Sequence, residues 1–505
     1  MKATTRSKGL YIILAAFIIT PGAKAQEKAL GVFEHHIDVG NTKTIGTTQF
    51  DAASQSYTIS GSGENIWNQK DEFQYAYRKM NGDFILRANM KFHGEGVDPH
   101  RKIGWMVRHS LEVNSPCVSA ALHGDGHSSL QYRSKPNTNM DHNPLTMIGA
   151  DVIQLERRGD TYILSAAKHG ERFFEEQMSG IELGDEVYVG LFVCAHNKDV
   201  VETATFSNVR IIVPPKSDFQ PYRDYIGSHI EVMDVSTGDR KIVFSAENSL
   251  QAPNWMLDDN IFTYNSDGLL YDFDLRTGEP TKIETDFATN NNNDHVYSFD
   301  NKKMGISNAT EEDGYSIIFS MPRKGGKPAR VTPNGPSYLH GWSPNGKELV
   351  YTAVRDKKWN IFKISEKGGQ EIQLTNTPGL DDGPEYTPDG KYIYFNSDRT
   401  GTTQIWRMKP DGKDSEQITF DELNDWFPHI SPDGKWIVFI SFPRTVDSGA
   451  HPFYKHVYIR LMPITGGEPK IIAYVYGGQG TMNVPNWSPD SKRIAFVSNS
   501  AFLNY

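Results

Sequence analysis

Cysteine is nearly absent: Cys117 and Cys194 are the only two in 505 residues. No disulfide framework can hold such a chain, and at most one bridge can form. Each cysteine sits in an apolar, strand-like stretch, so a single bridge and two buried thiols both stay open for an oxidising compartment. Long apolar runs are missing too. After residue 25 there is no stretch of about twenty apolar residues, which excludes a membrane-spanning helix there. Clusters of Lys and Arg are also missing, and the net charge is −10. A nucleic-acid or anionic-membrane surface needs concentrated positive charge, so neither partner is expected. The Gly-x-Ser-x-Gly elbow of serine hydrolases does not occur.

The N-terminus carries Lys2, Arg6 and Lys8 before an apolar run over 10–19 that ends in Pro21-Gly22-Ala23-Lys24-Ala25. Positive start, short apolar centre and Ala-x-Ala ending are the parts of a cleavable signal peptide over 1–25. No cysteine follows the cut at once, so no lipid anchor is indicated. The expected location is the periplasm or the exterior, without stable membrane insertion after cleavage.

What the chain does have is a repeat. Ser343-Pro344-Asn345-Gly346-Lys347, Thr387-Pro388-Asp389-Gly390-Lys391, Ser431-Pro432-Asp433-Gly434-Lys435 and Ser488-Pro489-Asp490-Ser491-Lys492 are copies of one motif, with prolines 44, 44 and 57 residues apart. Weaker copies lie at Asn254-Trp255-Met256-Leu257-Asp258-Asp259 and Val296-Tyr297-Ser298-Phe299-Asp300-Asn301. The period is that of a four-stranded propeller blade. Within a copy, Pro presets φ, Asp bonds back to the backbone and Gly accepts a positive φ. The run Lys391-Tyr392-Ile393-Tyr394-Phe395 that follows is rich in strand formers.

Counting copies gives six blades. The sixth, from Val484, has room for only two strands before Tyr505. Two orphan stretches, 226–233 and 241–245, precede the first copy and can complete it, so that the chain ends share one blade. The longer fifth period implies an insertion over 442–455. Upstream, residues 29–213 are strand-rich without the period and read as a β-sandwich. The fold class expected is all-β: signal peptide 1–25, sandwich 26–213, a proline-bearing linker 214–224 and a six-bladed propeller 225–505.

The copies beginning at Ser343, Thr387 and Ser431 resemble the TolB-like propeller repeat family. The N-terminal half resembles a bacterial concanavalin-like, lectin-like sandwich through Gly61-Ser62-Gly63-Glu64-Asn65-Ile66-Trp67, Gly104-Trp105-Met106-Val107-Arg108, Gln131-Tyr132-Arg133 and Val189-Gly190-Leu191-Phe192-Val193. The first resemblance implies an envelope interaction platform, a non-catalytic part of a peptidase or, in some relatives, a metal-dependent oligogalacturonate lyase. The second implies glycan handling.

Propeller channels are lined by the innermost strands, here the residues just before each turn. One place carries Trp255, Tyr297, Trp342, Tyr386, Ile430 and Trp487, which reads as cross-blade packing. The places before it break the repeat with Asn254, His295, His340, Glu385, His429 and Asn486. These six are the candidate channel residues. His295, His340 and His429 are the candidate ligands for a divalent transition metal, Zn, Mn or Fe, with Glu385 at hand. In the sandwich, His35, His36, His123 and His127 read as solvated loop histidines, while Trp67 and Tyr132 suit either stacking on a sugar or packing. The function expected is a binding module for a glycan or an envelope protein. The alternative is a metal-dependent glycan lyase or hydrolase working in the channel.

Overall fold

The computed structural model describes residues 30–501, and all of their regular elements are strands. The leader read over 1–25 lies outside the described residues. Among them no helix is long and apolar enough to cross a membrane.

The N-terminal half forms two seven-stranded antiparallel sheets. Trp105, Val118, Leu130 and Leu191 from one sheet and Phe84, Leu86, Leu155 and Phe206 from the other are all fully buried in one shared core. The two sheets therefore pack face to face, each burying one side by strand alternation. Cys117 and Cys194 are both free and buried, and burial pushes each thiol up to about 11. Of the two readings left open by composition, the unreactive buried thiol is the one observed.

From Ser228 onward the chain makes six blades. Five have four antiparallel strands each, beginning at Gln251, Asn291, Ser337, Asp381 and Asn424. The sixth joins both ends of this half: Ser228–Asp234 pairs with Arg493–Asn499 on one side and Arg240–Ala246 on the other. Its innermost segment departs from expectation. Only the Trp487–Ile494 bridge remains where a full strand was expected. Pro485 has no N–H to give a ladder, and the Asn486 side chain instead donates to the Ala495 carbonyl at 3.0 Å.

The repeated turns explain themselves. Ser431 Oγ donates to Asp433 Oδ1 at 2.6 Å, and that carboxylate accepts Lys435 N at 3.1 Å. The same bonds recur at Ser298, Thr387 and Ser488 with Asp300, Asp389 and Asp490. Cross-blade packing of the aromatics has a polar component as well. Trp342 Nε1 donates to the Val296 carbonyl at 2.9 Å, and Trp487 Nε1 to that of His429 at 3.0 Å, each reaching back one blade.

The sandwich seats on the outside of blades five and six. Gln55 grips the edge strand Arg240–Ala246, its side-chain amide donating to the Ile242 carbonyl at 2.9 Å and accepting Ile242 N at 3.0 Å. That cap satisfies an edge which would otherwise stay open. Ile85 and Ile212 of the sandwich pack with Phe453, Tyr454 and Tyr476 of the fifth blade.

Candidate functional site

Each complete blade has a register irregularity in its innermost strand, and these bulges decide what faces the channel. In blade two the bulge precedes His295, which stays in register opposite Ile306. In blade three it falls on His340 itself, between the Leu339–Tyr351 and Gly341–Val350 pairs. Two histidines at one place in the repeat are thus aimed differently. In blade four the bulge contains Gly383, at φ 63°, where a Cβ would stand 2.9 Å from both the Phe427 ring and Asn396 Oδ1. Only glycine lets those two strands approach so closely.

The result is a cavity of about 660 Å³ at one mouth of the channel. His340 lines it, with Asp294, Asp382, His451 and Phe427. His340 Nε2 stands 3.2 Å from Asp382 Oδ1, and its Nδ1 is 3.3 Å from the Asn483 carbonyl. The ring stacks on Phe427, centroids 5.8 Å apart. His451 reaches the cavity from the insertion between strands Trp436–Phe442 and Lys455–Pro463, where an extra segment was expected. At the rim Tyr338 and Trp359 stack at 5.7 Å.

The charges in this cluster are set by burial and by one another. Burial drives the His340 imidazolium down, but the Asp294 and Asp382 carboxylates prevail and its pKa is raised. Burial acts upward on Asp382, yet the bond from His340 leaves it below its ordinary value. Asp294 is pushed up to about 6, mainly by burial and further by Asp382, against the pull of His340. His451 is lowered by burial. Two buried polar atoms in this lining, His451 Nδ1 and Asn291 Oδ1, have no hydrogen-bond partner in the protein. Such orphans are uncommon in native interiors and point to a ligand or solvent.

The other candidates lie in the wall. His295 is fully buried, its Nε2 3.2 Å from the Thr263 carbonyl of blade one, and burial lowers it to about 4. His429 and Glu385 do meet: Nδ1 and Oε2 are 2.7 Å apart, His429 Nε2 faces the Met482 carbonyl at 3.0 Å, and Glu385 Oε1 accepts Ile430 N at 3.0 Å. That leaves the pair satisfied between blades four, five and six. Asn254 likewise bridges blades, donating to the Pro485 carbonyl and accepting Tyr297 N. His295, His340 and His429 therefore do not gather around one point, and among the described residues no three His, Cys, Asp or Glu side chains are placed to hold a metal ion. The residues do not fit the transition-metal site expected of them.

Asp294, Asp382 and His451 escaped the sequence reading. The first two stand before or within bulges, which a strict repeat alignment cannot place, and the third lies in an insertion. The run Asn290-Asn291-Asn292-Asn293-Asp294 was the available signal, because five polar residues entering an innermost strand serve no packing need.

In the sandwich, Trp67 lines a separate pocket of about 420 Å³ with Lys102, His123, His127 and His142. His123 is half-buried there, and desolvation lowers it to about 3. Tyr132 instead donates to Asp141 at 3.3 Å.

A six-bladed β-propeller closed by strands from both ends of one chain segment, joined to a two-sheet sandwich, defines the class. Residues 340–448 match the family model of the TolB beta propeller domain. An uncharacterized protein of Agrobacterium fabrum is 44% identical over 272 residues, 54% of this chain and 92% of that protein. A solved structure from Agrobacterium tumefaciens, provisionally named TolB, is 42% identical with a TM-score of 0.53, covering 55% of this chain and 99% of that one. An oligogalacturonate lyase from Vibrio parahaemolyticus is 10% identical with a TM-score of 0.36, covering 55% and 98%, a likeness too remote to argue from. The chain belongs to the TolB-like β-propeller family.

Proposed function

We propose that this chain is an exported binding module of the cell envelope, periplasmic or secreted, whose ligand is a glycan held at the channel mouth. The domain bounds we assign are 26–213 for a concanavalin-like sandwich, 214–224 for the linker and 225–505 for the propeller. One observation carries the reading: the cavity pairs a stacked aromatic rim, Tyr338 and Trp359, with the Asp382–His340 pair and the orphaned atoms of Asn291 and His451. Aromatic faces suit the C–H faces of sugar rings, while fixed carboxylate and amide groups suit their hydroxyls. Trp67 in the sandwich pocket offers a second place for the same chemistry. The purified chain is to be tested on a polysaccharide panel and on envelope extracts. Retention of a glycan supports the reading, whereas capture of an envelope protein alone, with no glycan bound, sinks it.

A second reading, glycan hydrolysis, has one observation in its favour. Asp294, pushed up to about 6, lies near Asp382, which His340 keeps ionised. Two carboxyl groups with pKa values pulled apart can serve as general acid and general base. Release of reducing ends from a bound glycan, abolished by Asp294→Asn, tests it. Binding without any cleavage leaves the module reading standing. The metal-dependent lyase finds no ligand set in His295, His340 and His429.

A further inference from the structure

A third cavity, about 580 Å³, lies between sandwich and propeller, lined in part by half-buried Val32, Phe50 and Ile242. The same lining holds three buried arginines, Arg87, Arg210 and Arg240. Arg87 and Arg210 stand directly opposite each other on paired strands. Like charges in that position repel. Arg87 Nη1 and Arg240 Nη1 donate to the same Tyr474 carbonyl, at 2.7 and 3.1 Å. Glu231 answers two of the three, lying 2.6 Å from Arg210 Nη2 and 3.0 Å from Arg240 Nε.

Arg87 is left over. Its remaining bonds go to the Gln154 Oε1 amide oxygen at 2.9 and 2.7 Å and to His456 Nδ1 at 3.4 Å, none to a carboxylate. Glu156 stands on the far side of the His456 ring and is also held by Arg158. Burial, with the charge of Arg240, pushes the Arg87 guanidinium down to about 9. A buried cation without a counter-ion is costly and calls for an anion.

We infer that this interdomain cavity binds an organic oxyanion with an apolar body. The head group would meet the Arg87 guanidinium, which carries the one charge no carboxylate contacts and keeps an Nη1 hydrogen beyond its bonds to Gln154, His456 and the Tyr474 carbonyl, and the body would lie along Val32, Phe50 and Ile242. The volume falls in the range of small-molecule sites. Because sandwich and propeller each supply part of the lining, occupancy also ties the two halves together.

The experiment is calorimetric titration of the full mature chain with dodecanoate and with dodecyl phosphate, below their micelle concentrations. Dodecyltrimethylammonium and acetate serve as controls. One-to-one binding is expected for at least one of the two anions, the tighter one naming the head group. Neither control should bind. Arg87→Gln should weaken binding at least about tenfold, the scale of one lost charge-assisted contact. Ala52→Trp, at an exposed position on the cavity lining, should weaken it too and does not depend on how Arg87→Gln folds. The inference fails if the wild type binds neither anion or binds the cation equally well. It fails also if Ala52→Trp or a folded Arg87→Gln binds undiminished.

Discussion

His340 and Asp382 face each other at 3.2 Å across the boundary between blades three and four, although they occupy different places in the repeat. A bulge throws His340 out of its ladder, and the next blade's bulge begins just after Asp382. Because Asp294 and Asp382 together raise the His340 pKa, what the imidazolium contributes to stability is fully present below the ordinary value of 6.5 and is lost as pH rises through the folded pKa. In Asp382→Asn the imidazole keeps its burial and loses its nearest carboxylate. Its midpoint should therefore fall, which proton NMR titration of the ring would register as the upfield-shifted, neutral imidazole appearing at lower pH than in the wild type. An unchanged midpoint would mean that Asp294 alone sets the charge.

His295 predicts acid sensitivity in a defined window. Its folded pKa of about 4 lies below the unfolded 6.5, so the unfolded chain binds the extra proton and stability declines as pH falls from 6.5 toward 4. A shift of that size corresponds to about 3 kcal/mol. Denaturant unfolding of wild type and His295→Asn between pH 7 and 4 checks this. The variant, less stable at pH 7, should show the shallower decline.

Glu231 predicts a second loss at lower pH. It is fully buried between Arg210, Arg240 and Ser498, and despite the upward push of burial these partners hold it far below 4.5. Its contribution is present above 4.5 and fades as pH falls toward the depressed folded value. Glu231→Gln leaves two guanidiniums without their counter-ion in the blade that closes the ring. It should cost about 3–5 kcal/mol at neutral pH, seen as a lowered denaturation midpoint.

Gly434 predicts a small, clean effect. It sits at φ 68° in the fifth repeated turn, and a Cβ there would meet nothing within 4 Å. Gly434→Ala should therefore cost only backbone strain, about 1–2 kcal/mol, with the cavity and its ligand unaffected.

The propeller was legible because its period is carried by turn chemistry that each copy must satisfy locally: a hydroxyl, a carboxylate and a residue tolerant of positive φ. The shared last blade followed from counting strands on both sides of the repeat. The channel site was legible only in His340. Alignment by motif assumes that equal places in the repeat point the same way, and the bulges break that assumption, sending His295 into the wall and bringing Asp294 and Asp382 to the cavity. Glu385 and His429 looked functional because they vary between blades. They vary because each satisfies a particular neighbour, Ile430 N and the Met482 carbonyl among them. His451 comes from an insertion whose place was readable but whose path was not.

The most direct measurement is calorimetric titration of the purified chain with whichever glycan it retains from the panel, repeated on Trp359→Ala. Trp359 is partly exposed at the rim, so its loss should leave the fold intact. The account predicts saturable binding to the wild type and an affinity at least about tenfold lower in the variant, the scale of a removed aromatic contact. Undiminished binding by Trp359→Ala, or no binding of any glycan by the wild type, would contradict it.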